Sequence, residues 1–363
     1  MYSLESGNYS AKEVLKALRT HRTVSYRYEL LDKNDRPIGD VTASGSVSFD
    51  SGSAIKRVAS LSIKEEKEVD YLSDRIKPYM RLKMAGGVLE FPLGIFLMSS
   101  PSRRADAVTV TKNVECYDKT QILSDDKFDT RHLVRAGENY INAVATIIAS
   151  AGIVNYRLDA CPLTLRTDIE FALGTSKLSA INQLLKAINY NELWADSYGC
   201  IRATQYQHPE GRKIDIYYVP GKDSIVVPGG EERLDTFQAP NKIVRYLENA
   251  ESECLKATVI NSDPASKLST VSRGRTIVDI EAVSDIADQA TLEAYTQRVA
   301  AEKKIYQQVM FSSAVMPQHE FLDCLYLRNK ELDVSGKFIE TAWSIEMKVG
   351  GTMTHVCRKA VSI

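Results

Sequence analysis

The chain has 363 residues, too many for one ordinary core, so two or three domains are expected. Its 46 Lys+Arg nearly cancel 47 Asp+Glu, which removes the usual electrostatic argument for a nucleic-acid or acidic-membrane partner but allows a local basic patch. With 44% hydrophobic and 26% charged residues and no apolar run long enough to span a bilayer, the composition is that of a chain that folds in water.

The start, Met1-Tyr2-Ser3-Leu4-Glu5, lacks the basic and apolar regions of a secretory signal, so cytosolic synthesis is expected. Ser10 followed by Glu13 forms a capping-box pattern, and Val14, Leu15 and Leu18 give the helix behind it one apolar face. From Thr23 the period changes to two. Val24, Tyr26 and Tyr28 alternate with polar residues, 34–39 reads as a turn, and 45–49 and 59–64 read as strands. Together with the stretch to Tyr117 this predicts an antiparallel sheet or barrel, residues 1–118, with one wet face.

After Asp118 the pattern turns helical. Residues 140–151 carry Ile141, Val144, Ile147 and Ile148 on one face with Gly152 at the end, and a second helix follows Thr175-Ser176 with Leu178, Ile181, Leu184, Leu185 and Ile188. Residues 192–202 read as a hairpin turning at Tyr198-Gly199, so 119–208 is expected to be an inserted small α/β domain. From Ile214 the chain is β-like again, with strands near Ile216, 225–227, 241–247, 256–260 and 277–280. A helix over 285–305 buries Ile286, Leu292, Tyr295 and Val299, and a closing β unit completes a third domain, 209–363, with its own insertion.

That closing unit faintly repeats the first. Arg81-Leu82-Lys83-Met84, Gly94-Ile95-Phe96-Leu97, Val108-Thr109-Val110-Thr111 and Val114-Glu115-Cys116-Tyr117 correspond to Leu325-Tyr326-Leu327-Arg328, Gly336-Lys337-Phe338-Ile339, 343–347 and Thr354-His355-Val356-Cys357. Each has a short strand, a Gly-x-Phe re-entry and a closing pair of alternating strands. The fold class expected is α+β, with two β-barrel-like tube domains related by an internal pseudo-repeat and a small α/β domain inserted between them.

Chemistry is thin. The cysteines Cys116, Cys161, Cys200, Cys254, Cys324 and Cys357 have no Cys-x-x-Cys or zinc-type spacing and read as reduced, mostly buried thiols. His319-Glu320 lacks the second histidine of a His-Glu-x-x-His helix, since position 323 is Asp323, and both residues are expected at the surface. No nucleophile elbow, phosphate loop or dinucleotide fingerprint occurs, so no catalytic residue, metal or cofactor is expected. Arg273 and Arg275, flanking Gly274, suit a loop that grips acidic groups at a subunit or domain contact. A rival reading is a binding module whose aromatic face is Trp194, Tyr198, Tyr206, Tyr217 and Tyr218.

Several segments resemble baseplate-hub or tail-tip proteins of long-tailed bacteriophages. They are Ser272-Arg273-Gly274-Arg275 within 269–278, Ala287-Asp288-Gln289-Ala290 within 287–295, Glu340-Thr341-Ala342-Trp343 within 340–345, Ser46-Val47-Ser48-Phe49, 55–63, 93–101 and Tyr117-Asp118-Lys119-Thr120 within 117–123. The resemblance implies a non-enzymatic structural hub of the virion tail tip or of a phage-derived particle, assembled in the host cytoplasm. It further implies a homotrimer around a channel, with the tail tube or distal tail protein above and tip, spike, fibre or receptor-binding proteins below. DNA would pass through transiently, without stable nucleic-acid binding and without a membrane span. Two similar domains in each of three chains present six near-equivalent surfaces, which adapts a sixfold tube to a threefold tip. The alternative is a carbohydrate-binding or cell-wall-hydrolysing tail module.

Overall fold

The computed structural model describes the chain apart from residues 7, 106–108, 235, 248–254, 284, 304–306 and 360–363. The expected strand start at Val108, the cysteine at Cys254 and the expected helix end at Ile305 lie outside the described residues.

The fold is mostly β, with a few helices. Helix α1 (Ala11–Arg19) is closed by the expected capping box between Ser10 and Glu13 and buries Val14 and Leu18. Strands β1 (Val24–Leu31), β2 (Pro37–Val41), β3 (Ala43–Asp50), β4 (Arg57–Lys64), β5 (Arg75–Met84), β6 (Gly87–Pro92), β7 (Phe96–Met98), β8 (Ser102–Ala105) and β9 (Val110–Asp118) follow. Their burial alternates: in β4, Arg57, Ala59, Leu61 and Ile63 face in while Ser60 and Lys64 face out.

The middle of the chain holds α2 (Thr120–Asp125), β10 (His132–Val134), α3 (Tyr140–Ser150), β11 (Tyr156–Leu158), β12 (Ile169–Phe171), α4 (Lys177–Ala187), β13 (Trp194–Ala195) and β14 (Ile201–Ala203). Asn139 and Ser176 cap α3 and α4, whose apolar faces build a core of their own around Val144, Ile148, Ile181 and Leu184. The antiparallel β13–β14 pair turns through Gly199 at φ +76°.

Next come β15 (Ile216–Tyr218), β16 (Glu231–Leu234), β17 (Lys242–Leu247), β18 (Lys256–Ile260), α5 (Thr270–Arg273), β19 (Val278–Val283) and α6 (Gln289–Lys303). The sheet β18-β17-β19 packs Ile243, Leu247 and Val283 against Leu292, Tyr295 and Val299 of α6. Strands β20 (Gln307–Ala314), β21 (Cys324–Asn329), β22 (Val334–Met347) and β23 (Thr352–Lys359) complete the chain.

Two expectations are corrected here. Where two β-barrel-like domains are expected, the first and last β segments share one 15-stranded sheet, whose path runs β16-β20-β23-β22-β3-β4-β9-β7-β5-β1-β2. Among the described residues that path is open, since β16 and β2 end it without meeting. The joint is the antiparallel pairing of β22 with β3, from Ala342↔Asp50 to Met347↔Gly45, and one core runs beneath it from Val47 and Leu61 to Phe338 and Ile345. Strand pairing across the joint makes the two units one hydrogen-bonded body.

The second correction concerns β22. It was expected as two pieces and is one 14-residue strand whose register shifts between Glu340 and Ala342. Before the shift Val334, Phe338 and Glu340 face the core; after it Trp343, Ile345 and Met347 do. A bulge at Thr341 exchanges the two faces of the strand. As for the repeat, β5-β7-β9 and β21-β22-β23 are both antiparallel runs, entered through Gly94 at φ +142° and Gly336 at φ +147° with Phe96 and Phe338 fully buried.

Candidate assembly surface and interior ionic network

Arg273 ends α5 and is followed by Gly274 in the left-handed region, φ +63°, so the chain reverses and Arg275 returns to the same side. Both guanidiniums reach the segment 236–239. Arg273 Nη1 donates to the Ala239 carbonyl at 2.7 Å, and its Nη2 donates to the carbonyls of Thr236 at 2.6 Å and Phe237 at 2.7 Å. Arg275 Nη2 donates to the Phe237 carbonyl at 2.9 Å, and its guanidinium lies 4.9 Å from the centre of the Phe237 ring. Within the chain, then, the two arginines hold main-chain carbonyls where the sequence suggested carboxylates. The clamp fixes a loop whose Phe237 is 71% exposed, beside α5 with Val271 61% exposed, and so presents apolar side chains rigidly at the surface.

The aromatic set of the rival reading is divided. Trp194, Tyr198 and Tyr206 line a cleft of about 800 Å³ together with Arg157, Arg202 and Phe321. Trp194 is nearly buried and stacks on Phe321 at 5.3 Å. Tyr217 instead lies exposed against Tyr326, 5.6 Å between ring centres, and Tyr218 is buried against Phe311. The five aromatics do not form one face. Arg298 lies 4.3 Å from the Tyr206 ring centre, and burial pushes the Tyr206 hydroxyl up to about 12.

Sequence reasoning missed the interior. Expected at the surface, His319 and Glu320 are both buried, because the loop between β20 and β21 folds under the joined sheet. Glu320 forms an ion pair with Arg57 of β4 and accepts from the Ser197 amide at 2.9 Å. Arg57 also donates to the Leu93 carbonyl at 3.1 Å and lies 5.1 Å from the Trp343 ring centre. One guanidinium therefore ties the first β segment to the last and, through Glu320, to the β13–β14 turn. Burial outweighs Arg57 and lifts the Glu320 carboxyl above its ordinary range.

Beside it, Glu340 Oε2 lies 2.5 Å from His319 Nδ1 and Oε1 lies 2.5 Å from His355 Nδ1. His319 Nε2 is 2.8 Å from Tyr218 Oη, and His355 Nε2 is 2.8 Å from Ser313 Oγ. Burial would raise the Glu340 pKa, but the two imidazoles reverse this and bring it to about 2. Burial lowers that of His355 despite Glu340.

No family model matches the sequence, and neither does any curated protein. Solved structures do match in fold. A tail protein from Neisseria meningitidis MC58 superposes with TM-score 0.64 at 10% identity, covering 92% of this chain and 97% of that one. The 43 kDa tail protein of prophage MuSo2 from Shewanella oneidensis gives 0.61 at 11% identity, covering 92% and 98%. Prophage tail protein gp18 from Listeria monocytogenes EGD-e gives 0.54 at 13%, covering 93% and 95%. The chain has the fold of phage and prophage tail proteins, along nearly its whole length.

Proposed function

We propose that this chain is the structural hub of a phage tail tip or baseplate, forming a trimeric ring around a channel that adapts the sixfold tube to the threefold tip. The observation that carries this reading is the fold match over 92% of this chain and 97% of a tail protein. On this reading 1–118 and 209–363 act as two tube domains in each protomer, and 119–208 stands outside them. Three protomers, each contributing both tube domains, present six related surfaces upward and three repeats downward.

Two features support it physically. The joint between β3 and β22 makes the two units one rigid sheet, as a ring that bears load must be, and the path ends at open strands β2 and β16 that a neighbouring protomer can cover. The clamp of Arg273 and Arg275 around 236–239 holds exposed Phe237 ready for a protomer or domain contact. The hub works at the virion tail tip after assembly in the host cytoplasm. Tube or distal tail protein sits above it and tip, spike, fibre or receptor-binding proteins below, while DNA passes without stable binding. Its role is structural, not enzymatic. Deleting the gene should leave tails that fail to assemble or lack a tip in negative-stain micrographs, restored by complementation. Infectious particles with normal tails in the deletion strain would refute the proposal.

A further inference from the structure

The group His319, Glu340 and His355 has no part in the structural role just proposed, and its proton count is peculiar. The side chains of all three are fully shielded from solvent. The Ser313 hydroxyl donates to the Ala314 carbonyl at 2.9 Å, an acceptor only. With its one hydrogen directed to that carbonyl, Ser313 Oγ offers His355 Nε2 only lone pairs, and in this arrangement Nε2 carries the hydrogen of the 2.8 Å contact. A neutral imidazole then turns a bare Nδ1 toward Glu340 Oε1, 2.5 Å away. Two lone pairs at that distance require a positive species between them, either a proton or a metal ion.

His319 is disposed the same way, with Nδ1 toward Glu340 Oε2 and Nε2 toward the Tyr218 hydroxyl. Two imidazoles thus face one carboxylate with their inner nitrogens while an oxygen partner holds each outer nitrogen. That is how a metal-ligating histidine is oriented by its surroundings. The donor atoms of His319, Glu340 and His355 all lie within 4.8 Å of one another. Asp323 Oδ2, which accepts from the Glu320 amide at 2.7 Å, lies 3.9 Å from His319 Nδ1 and has a lone pair left for a fourth ligand. We infer that His319, Glu340 and His355 form a structural site for a divalent transition-metal ion of the zinc type. Imidazole and carboxylate donors in a closed set suit zinc, and its ligands stand roughly 3.3 Å apart in a tetrahedron, so the ion needs the carboxylate to move by under about an ångström. Such a site would pin the 315–323 loop to β22 and β23, and because it is buried it would be loaded as the chain folds.

The test uses the full chain, refolded with zinc(II) or cobalt(II) and then dialysed. Elemental analysis should find about one zinc per chain, and the cobalt form should show the strong visible absorption of a tetrahedral site. Tyr218→Phe, which removes only the oxygen partner of His319, should stay folded and bind zinc about 10- to 100-fold more weakly. A chain that is folded by circular dichroism yet retains no zinc, and melts at the same temperature with and without it, would overturn the inference. So would nitrogen-15 spectra showing His355 protonated on both nitrogens in the presence of zinc.

Discussion

Replacing Arg57 with Met tests how the β segments are held together. The substitution keeps the stem and removes a guanidinium that is fully buried, paired with Glu320 and hydrogen-bonded to the Leu93 carbonyl at 3.1 Å. Glu320 then keeps the Ser197 amide at 2.9 Å as a hydrogen-bond donor. Removing one member of a buried pair typically costs about 3–5 kcal/mol, a large share of the roughly 5–15 kcal/mol that holds a native protein together. Adding Glu320→Gln removes the orphaned charge and leaves a neutral acceptor for Ser197, so the double variant should regain about half or more of that loss. Urea unfolding followed by tryptophan fluorescence suits the assay, because Trp343 lies 5.1 Å from the Arg57 guanidinium and Trp194 stacks on Phe321 next to Glu320. The pH dependence has a definite sign. The Glu320 carboxyl already sits above its ordinary 4.5 and should rise further without Arg57, so stability falls as pH climbs from 4.5 through the folded value. The Arg57→Met penalty should therefore be smaller at pH 5 than at pH 7. A loss under about 1 kcal/mol, or a coupling energy near zero in the double-mutant cycle, would refute the reasoning.

Other predictions concern the joint, the acid limb and assembly. In Gly45→Ala the new Cβ would lie 1.9 Å from the Ser60 carbonyl oxygen at a backbone φ of +153°, so β3 should separate from β4 and thermal melting should show a loss of about 3 kcal/mol. Gly87→Ala, with no atom within 4 Å of its Cβ, should cost clearly less, and equal losses would contradict the steric account. Burial opposes ionisation of Asp35, but Lys119 at 2.6 Å and Arg75 at 2.5 Å prevail and hold its pKa below 3.8. Its contribution is therefore present above pH 3.8 and lost as pH falls through the folded value. Asp35→Asn should flatten acid unfolding below about pH 4, and an unchanged acid midpoint would count against that pairing. Arg273→Glu and Arg275→Glu should release 236–239 and shift light-scattering mass toward the 40.5 kDa protomer; folded, trimeric variants that enter particles normally would remove the clamp from the interface.

Local features were legible in the sequence because neighbours along the chain encode them. The Ser10–Glu13 box, the capped helices α3 and α4, and the turn at Gly199 each rest on residues a few positions apart. What escaped depends on distance and phase. The bulge at Thr341 switches the inward face of β22 from even to odd positions, so a period-two pattern breaks and one strand looks like two. Nothing local joins β3 to β22, and Arg57 meets Glu320 across 263 residues. His319 looked like a surface residue beside Pro317, although a buried polar residue with partners on β15 and β22 has no signature of its own in sequence. A weak signal existed in β23, where His355 falls between Met353 and Cys357 on the inward positions.

The trimeric hub is tested most directly by a cryo-EM reconstruction of the tail tip, computed without imposed symmetry. The account predicts three copies of the chain in a closed ring around an axial channel, with the 1–118 and 209–363 segments alternating beneath six tube subunits. Six copies with one β segment under each tube subunit, or density for the chain only at the periphery of the tip, would contradict it.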